Sequence, residues 1–316
     1  MCVADIKTIF MGTSEFAVAS LHSLLSPGYE VVAVVTQPDR PAGRGLALKA
    51  SPVKETALKT GLRVLQPERM KEPGSVEALA ALRPDLMVVV AYGQILPPAV
   101  LALPRMACLN VHASLLPKFR GAAPIHAAIL EGETETGVTL MHMNEKMDEG
   151  DLILSRSTPI GPDETVGELH DRLAVIGASA LMEALVLIAQ GRATRTPQDP
   201  ARATYAPSLK RERCRMDWTR TARELHDQVR GLSPWPVAET QFKGGQLRIF
   251  RSRFLQEGDP HGVAGTIQSV TKEGIVVAAG RDALLLTEVQ VAGKKRMGAY
   301  ELTLGHPDLV PGAVLT

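Results

Sequence analysis

Residues 86–90 read Leu-Met-Val-Val-Val, five apolar side chains in succession. Successive side chains of a strand point to opposite faces, so a strand that is apolar at every position has to be covered on both sides. The run therefore points to a parallel sheet lying between helices. The sequence around it has the matching rhythm. Strand-like runs at 7–11, 31–36, 62–65 and 107–113 are separated by helix-like segments such as 15–25, 51–60 and 75–82. Strand–helix–strand alternation implies parallel strands, and the first half reads as a doubly wound, mostly parallel α/β domain. Ligands of such sheets bind beyond the carboxyl ends of the strands, which gives weight to residues at those ends.

An apolar-periodic helix at 171–190 stops at Gly191, and a polar stretch at 194–208 with Pro197, Pro200 and Pro207 reads as a linker. Beyond it come a helix at 219–230 and short strands at 237–242, 246–254, 266–270, 274–279 and 283–289. Their close spacing and glycine punctuation suggest a small β-barrel of the oligonucleotide-binding type. The expected organisation is a domain at 1–193, a linker at 194–208 and a barrel at 209–316. Two domains also suit a chain of 316 residues.

The formal net charge is +1, but it is unevenly spread: 19 basic and 22 acidic residues through Ala206, then 16 basic and 12 acidic from Pro207 onward. The start of the chain lacks a charged leader with an apolar stretch, and no continuous apolar run of roughly 18 residues follows it. A cytoplasmic protein without a membrane partner is expected. Cys2, Cys108 and Cys214 are scattered and form no CxxC pair, which fits a reducing compartment and gives no thiolate metal site. The histidines at 126, 142, 170 and 226 lack ligand spacing, so each reads as structural and no metal is expected. No heptad seam is present, and a monomer is expected.

Phe10–Gly12 followed by Thr13 and Ser14 sits where a dinucleotide fold carries its phosphate loop, but only Gly12 of the glycine pattern is present. The segment reads instead as a tight turn with Thr13 or Ser14 capping the next helix. The sharpest chemical signal is Cys108-Leu-Asn-Val-His-Ala-Ser-Leu-Leu-Pro117. The two-residue strand period puts Asn110 and His112 on one side near the strand's end. An amide N–H can donate to an oxyanion, and an imidazole can accept or relay a proton near neutral pH. The pair suits attack on an acyl carbon, although an isolated Asn-x-His also fits a structural pair bonded to the backbone. A second cluster, Glu145 to Asp151, crowds four carboxylates onto a turn. Asp148 is the candidate to orient His112, with Glu149 and Asp151 remaining open. No nucleophile is evident: Ser114 lacks a GxSxG setting, and Cys108 sits deeper on the same strand face. Direct transfer without an acyl-enzyme is the simpler expectation. Finally, 36–49 reads as a long Pro- and Gly-rich loop carrying Arg40, Arg44 and Lys49, a composition suited to phosphate contact.

At these residues the sequence resembles the folate-dependent formyltransferases. The likeness runs through nearly the whole chain: FMGTSEFA at 10–17, TQPDRPAGRG at 36–45, VVVAYGQILP at 88–97, LNVHASLLPKFRGAAPI at 109–125, ETGVTLMHM at 135–143, MDEGD at 147–151 and RGLSPWPVA at 230–238. The central block is shared across the family, while the arginine loop and the Pro-Trp-Pro block point to the branch acting on methionyl-tRNA. What the resemblance implies is transfer of the formyl group of 10-formyltetrahydrofolate to the α-amine of methionine on initiator tRNA. Asn110 would stabilise the oxyanion, with His112 and Asp148 assisting proton movement. The folate would lie along Ser114, Leu115, Leu116 and Pro117 and along Tyr92, Gly93, Gln94, Ile95 and Leu96. Arg44, with Arg40 and Lys49, would meet the acceptor end of the tRNA, and Lys294, Lys295 and Arg296 would belong to a phosphate-tracking surface of the barrel. His126 and His142 stand where relatives are expected to carry glutamine.

Overall fold

A computed structural model of the chain describes residues 6–26, 29–42, 47–256 and 263–316. Two compact units emerge. The first comprises Met1–Pro124, Thr136–Thr158 and His170–Tyr205, the second Ile125–Glu135, Pro159–Leu169 and Ala206–Thr316.

The strands and helices of the first half run in order as β1 (Lys7–Gly12), α1 (Glu15–Leu24), β2 (Glu30–Val35), β3 (Arg40–Ala42), β4 (Ala47–Lys49), α2 (Pro52–Lys59), β5 (Val64–Leu65), α3 (Pro73–Ala80), β6 (Leu86–Val90), α4 (Pro98–Leu101), β7 (Ala107–His112), α5 (Pro124–Leu130), β8 (Glu135–His142), β9 (Leu152–Pro159) and α6 (Val166–Ala189). One seven-stranded sheet has the order β5-β2-β1-β6-β7-β8-β9. The pairs β2–β5, β1–β2, β1–β6 and β6–β7 are parallel, and β7–β8 is antiparallel. The doubly wound expectation holds, and all five side chains of β6 are buried. Ile9, Met11, Val35, Met87, Val89 and Cys108 form the core on one side of these strands. Successive strands are added outward in one sense from β1 to β2 and β5 and in the opposite sense from β1 to β6 and β7, and the loops after β6 and β7 leave from the carboxyl ends of neighbouring parallel strands.

Several local expectations are corrected. Residues 36–49 are not loop throughout: Arg40 to Ala42 pair antiparallel with Ala47 to Lys49. The Pro41 that argued for a loop lacks an amide donor, and a two-stranded ribbon with free edges accommodates it. Neither Thr13 nor Ser14 caps α1 through its side chain; Ser14 is the N-cap residue without a side-chain bond, and the Thr13 hydroxyl donates to the Tyr92 carbonyl at 2.7 Å. The long helix α6 starts at Val166, ahead of the expected 171, and is 24 residues long. It is long and apolar enough to cross a membrane by length and composition, a property masked in the sequence by its scattered polar residues. Its Leu173, Leu181 and Ala184 are buried, and Gly177 lets its backbone approach Val111 and Val138 of the sheet. Residues 194–205 belong to the first unit. Leu152 and Thr196 exchange backbone hydrogen bonds, and Thr204 accepts from the Arg120 and Phe119 amides.

The second unit contains α7 (Ala222–Leu232), β10 (Ala238–Phe242), β11 (Gly245–Leu255), β12 (Ile267–Thr271), β13 (Gly274–Ala278), β14 (Ala283–Val291), β15 (Met297–Gly298) and α8 (Ala299–Gly305). Its strands are antiparallel in the order β10-β11-β14-β13-β12, with β15 on β14. The chain terminus joins the two edges of this sheet. Thr316 exchanges backbone bonds with Gln241 beside β10, and Leu315 and Ala313 bond to Gly265 and Ile267 at β12. Closure of this kind removes exposed strand edges and is the small barrel expected. α7 starts with a capping box between Thr221 and Glu224 and buries Leu225, Val229 and Leu232 against Leu247, Ile249 and Leu286.

His226 of α7 is buried, with Nδ1 at 3.0 Å from the Ser252 hydroxyl and Nε2 at 2.9 Å from the Pro162 carbonyl. Burial depresses its affinity for a proton below the ordinary value of 6.5. The unfolded chain therefore takes up a proton at a pH where the folded chain does not, and stability falls as pH drops below about 6.5. The contribution of one such group is at most about 1.4 kcal/mol per pH unit. Melting temperatures at pH 7.5 and 5.5 should differ more for the parent than for His226→Gln; an equal drop in both would remove His226 as the cause.

Candidate functional site

β7 delivers Asn110 and His112 to one face, two residues apart, at its carboxyl end. It lies between β6 and β8, with Asn110 registered against Val89 and Met141. Both polar side chains are consequently covered, at 9% and 6% exposure. Buried polar groups need partners, and each finds a specific one. The His112 Nε2 lies 2.9 Å from the Phe119 carbonyl oxygen. A carbonyl only accepts, so Nε2 carries the hydrogen and Nδ1 is left to face the opposite way. There it meets Asp148, with Oδ2 at 3.7 Å. The Asn110 Nδ2 donates to Asp148 Oδ1 at 3.3 Å, and the Gly121 amide donates to Asp148 Oδ2 at 2.8 Å.

Asn110, His112 and Asp148 thus come together around one carboxylate. Two of the other three acids of that turn pair elsewhere: Glu149 with Arg120 at 3.0 Å, and Asp151 at 3.9 Å from Arg195. The turn itself is strained. Asp148 has φ +54°, a left-handed conformation that costs a non-glycine residue about 1–3 kcal/mol. At Gly150 a side chain is forbidden, because a Cβ would collide with the His142 carbonyl oxygen. With one Nδ2 hydrogen turned toward Asp148, Asn110 retains a second for an oxyanion. Cys108 takes no part: it is buried against Met143, and burial pushes its thiol up to about 12.

The segments expected to hold folate flank this centre. Thr139 of β8 donates to the Ser114 carbonyl at 2.7 Å and accepts from the Leu116 amide at 3.1 Å, which fixes the loop after β7. Ser114 is buried, and its hydroxyl donates to the Lys118 carbonyl. Leu116 is also buried, while Leu115 and Pro117 are half-buried. In the neighbouring loop Tyr92 and Leu96 turn into the core. Gln94 staples residues 67–70, donating to the Pro67 carbonyl and accepting from the Met70 amide. Gly93 is exposed, and Ile95 at 74% is the large apolar side chain that this loop offers to solvent.

Of the residues expected to meet tRNA, Arg40 and Lys49 are exposed and stand opposite each other in the β3–β4 ladder. Arg44 lies outside the described residues. Lys294 and Lys295 are exposed, whereas Arg296 pairs with Glu288 and stacks over Phe250 at 4.4 Å. Among the described residues no group of three or more His, Cys, Asp or Glu could hold a metal ion. Sequence reading missed the Phe119 carbonyl and the Gly121 amide, since main-chain groups carry no residue signature. Gly121, at φ +116°, was the one available signal.

Residues 6–185 match the family described as formyl transferase, and residues 208–307 match the formyl transferase C-terminal domain. A protein of Moorella thermoacetica named methionyl-tRNA formyltransferase is 51% identical over 309 residues, 98% of this chain and 99% of that protein. One of the same name from Bacillus subtilis is 49% identical over 300 residues, covering 95% of this chain and 94% of its own length. Among solved structures, the sugar 3N-formyl transferase WlaRD, determined with dTDP and 5-N-formyl-THF, has a TM-score of 0.68 at 19% identity and covers 92% of this chain and 99% of its own. HypX from Aquifex aeolicus, in complex with tetrahydrofolic acid, has a TM-score of 0.65 at 18% identity and covers 94% of this chain and 47% of its own.

Proposed function

The chain belongs to the formyl transferase family, and on that footing we propose that it transfers the formyl group of 10-formyltetrahydrofolate to the α-amine of methionine carried on initiator tRNA. The observation that carries the reaction is the meeting of Asn110, His112 and Asp148 around one carboxylate at the carboxyl end of β7. In this reading the amine attacks the formyl carbon, a C–N bond forms, and negative charge develops on the formyl oxygen. The free Nδ2 hydrogen of Asn110 is placed to receive that charge. The attacking nitrogen must lose a proton and the departing folate nitrogen must gain one. His112 Nδ1 and the Asp148 carboxylate, 3.7 Å apart, are the groups at hand to move it. The folate is read as lying over Ser114, Leu115, Leu116 and Pro117 and beside Tyr92, Gly93, Gln94, Ile95 and Leu96, where two parallel strands end side by side.

For the tRNA, the β3–β4 ribbon supplies Arg40 and Lys49 as like charges directly opposite each other, an arrangement unfavourable in itself that a phosphate between them would relieve. Arg44 is read as part of the same contact. Residues 209–316 are read as the second tRNA-facing domain, with Lys294, Lys295 and Arg296 on its surface. The enzyme is read as a cytoplasmic monomer with no membrane partner. Removing both Arg40 and Lys49 by alanine substitution should reduce the salt slope of tRNA affinity by about 1–2 while folate affinity is unchanged. An unchanged slope would exclude the ribbon from the interface.

The test of the whole reading is formyl transfer from 10-formyltetrahydrofolate with three acceptors: methionyl initiator tRNA, methionyl elongator tRNA and free methionine. Formylation of the charged initiator alone is expected. Folate turnover without tRNA formylation would assign a different acceptor, and absence of turnover would leave a nucleic-acid-binding protein.

A further inference from the structure

The strained turn that carries Asp148 is held from a segment far along the chain. The Gln198 Nε2 donates to the main-chain carbonyls of both Asp148 and Gly150, at 2.8 and 2.9 Å. At its other end Gln198 Oε1 accepts two bonds from Arg120, from Nε at 3.1 Å and Nη2 at 2.9 Å. The Arg120 Nη1 pairs with Glu149, the residue after Asp148. This arrangement leaves the amide a single orientation, because a guanidinium only donates and main-chain carbonyls only accept. Arg120 is 3% exposed, and a buried guanidinium is tolerated only when it is paired and bonded this fully. It is also flanked in sequence by the two main-chain groups that fix the centre, the Phe119 carbonyl on His112 and the Gly121 amide on Asp148. The Arg120 amide in turn donates to Thr204, six residues beyond Gln198.

We propose that Gln198, oriented by Arg120, is a positioning residue that sets the Asp148 carboxylate between Asn110 and His112. The proposal rests on the catalytic reading of Asp148 given above. A neutral amide gripping two carbonyls of one turn fixes where the turn stands without adding charge to the centre, and Asp148 in its left-handed conformation needs such a grip to persist. Misplacement of a catalytic group by about 1 Å can cost about 10²-fold in rate.

The experiment compares the full-length parent with Gln198→Met, Asp148→Asn and the double variant, in formyl transfer to methionyl initiator tRNA. Independently, the Gly121 amide resonance is followed by NMR without substrates. Gln198→Met keeps the length of the side chain and loses its four bonds. It should lower kcat by about 10²-fold while KM for either substrate changes by no more than about twofold. In the Asp148→Asn background the same change should cost less than about threefold, because the group being positioned is already gone. The Gly121 amide should move upfield and exchange faster as its carboxylate partner shifts. A kcat for Gln198→Met within about threefold of the parent, or a fully additive loss in the double variant, would overturn the proposal. So would an unmoved Gly121 resonance. Should Gln198→Met fail to fold, Gln198→Glu retains the bonds to Arg120 but turns an oxygen toward the two carbonyls, and the same losses are expected of it. If Asp148→Asn itself keeps the parent rate, the catalytic reading of Asp148 is what fails, and the Gly121 resonance still decides whether Gln198 places the turn.

Discussion

His112→Ala is expected to lower kcat for formyl transfer by about 10²–10⁴-fold, the range over which a positioned general acid or base contributes. The expectation follows from the two ends of the ring. Nε2–H is committed to the Phe119 carbonyl, so the exchangeable site is Nδ1, which faces Asp148 across 3.7 Å. Both kcat and kcat/KM should fall together, since the proton moves only as the new bond forms. Removing the ring also leaves the Phe119 carbonyl without its donor, which costs about 1–3 kcal/mol of stability. The rate therefore has to be taken on protein shown to be folded by its melting curve. A folded His112→Ala protein with a rate within a few-fold of the parent would take His112 out of the mechanism. The Asn110–Asp148 contact would then be left to account for the chemistry.

Asn110→Ala is expected to cost about 10²–10³-fold in kcat, as for the loss of one preorganised donor to a developing oxyanion. Asn110 sits on a strand registered on both sides, against Val89 and Met141, so its amide is held before substrate arrives. A donor that is already fixed needs no reorganisation at the moment of reaction, and that is the source of the effect. The substitution also removes a 3.3 Å bond to Asp148, a long and therefore weak interaction. Asn110→Asp separates the two contributions. It keeps the volume but places a second carboxylate beside the first, and it should be at least as damaging as alanine. If Asn110→Ala raises KM for the folate and leaves kcat untouched, the amide binds the ground state and does not stabilise the transition state.

Much of the architecture could be read locally. The five-residue apolar run at Leu86–Val90 required two covering layers, and the strand is buried along its whole length. The two-residue period placed Asn110 and His112 on one face because β geometry admits no other outcome. The small barrel was visible in the spacing of its short strands and glycines, but the residues that close it were not. The residues that join its edges, Ala313 to Thr316, have no strand-like alternation, and their backbone bonds with Gly265, Ile267 and Gln241 are what place them there.

The composition of the centre was decided in three dimensions. Four carboxylates share the stretch 145–151, and nothing local distinguishes them. Asp148 is selected by the Asn110 amide, 38 residues earlier, and by the Gly121 amide, while Glu149 is drawn to Arg120. Residues 194–208 read as a linker because their prolines and polar side chains match no regular element. Within the fold they supply Gln198, bonded to an arginine 78 residues away. The chain's own sequence determined which faces had to be buried and which polar groups would share a strand, since those follow from backbone periodicity and transfer of apolar surface out of water. Which carboxylate meets the imidazole, and which distant amide holds it there, was settled only by tertiary structure. Buried donors and acceptors must be satisfied by whatever partners folding brings within about 3 Å, and those partners are not encoded in any local pattern.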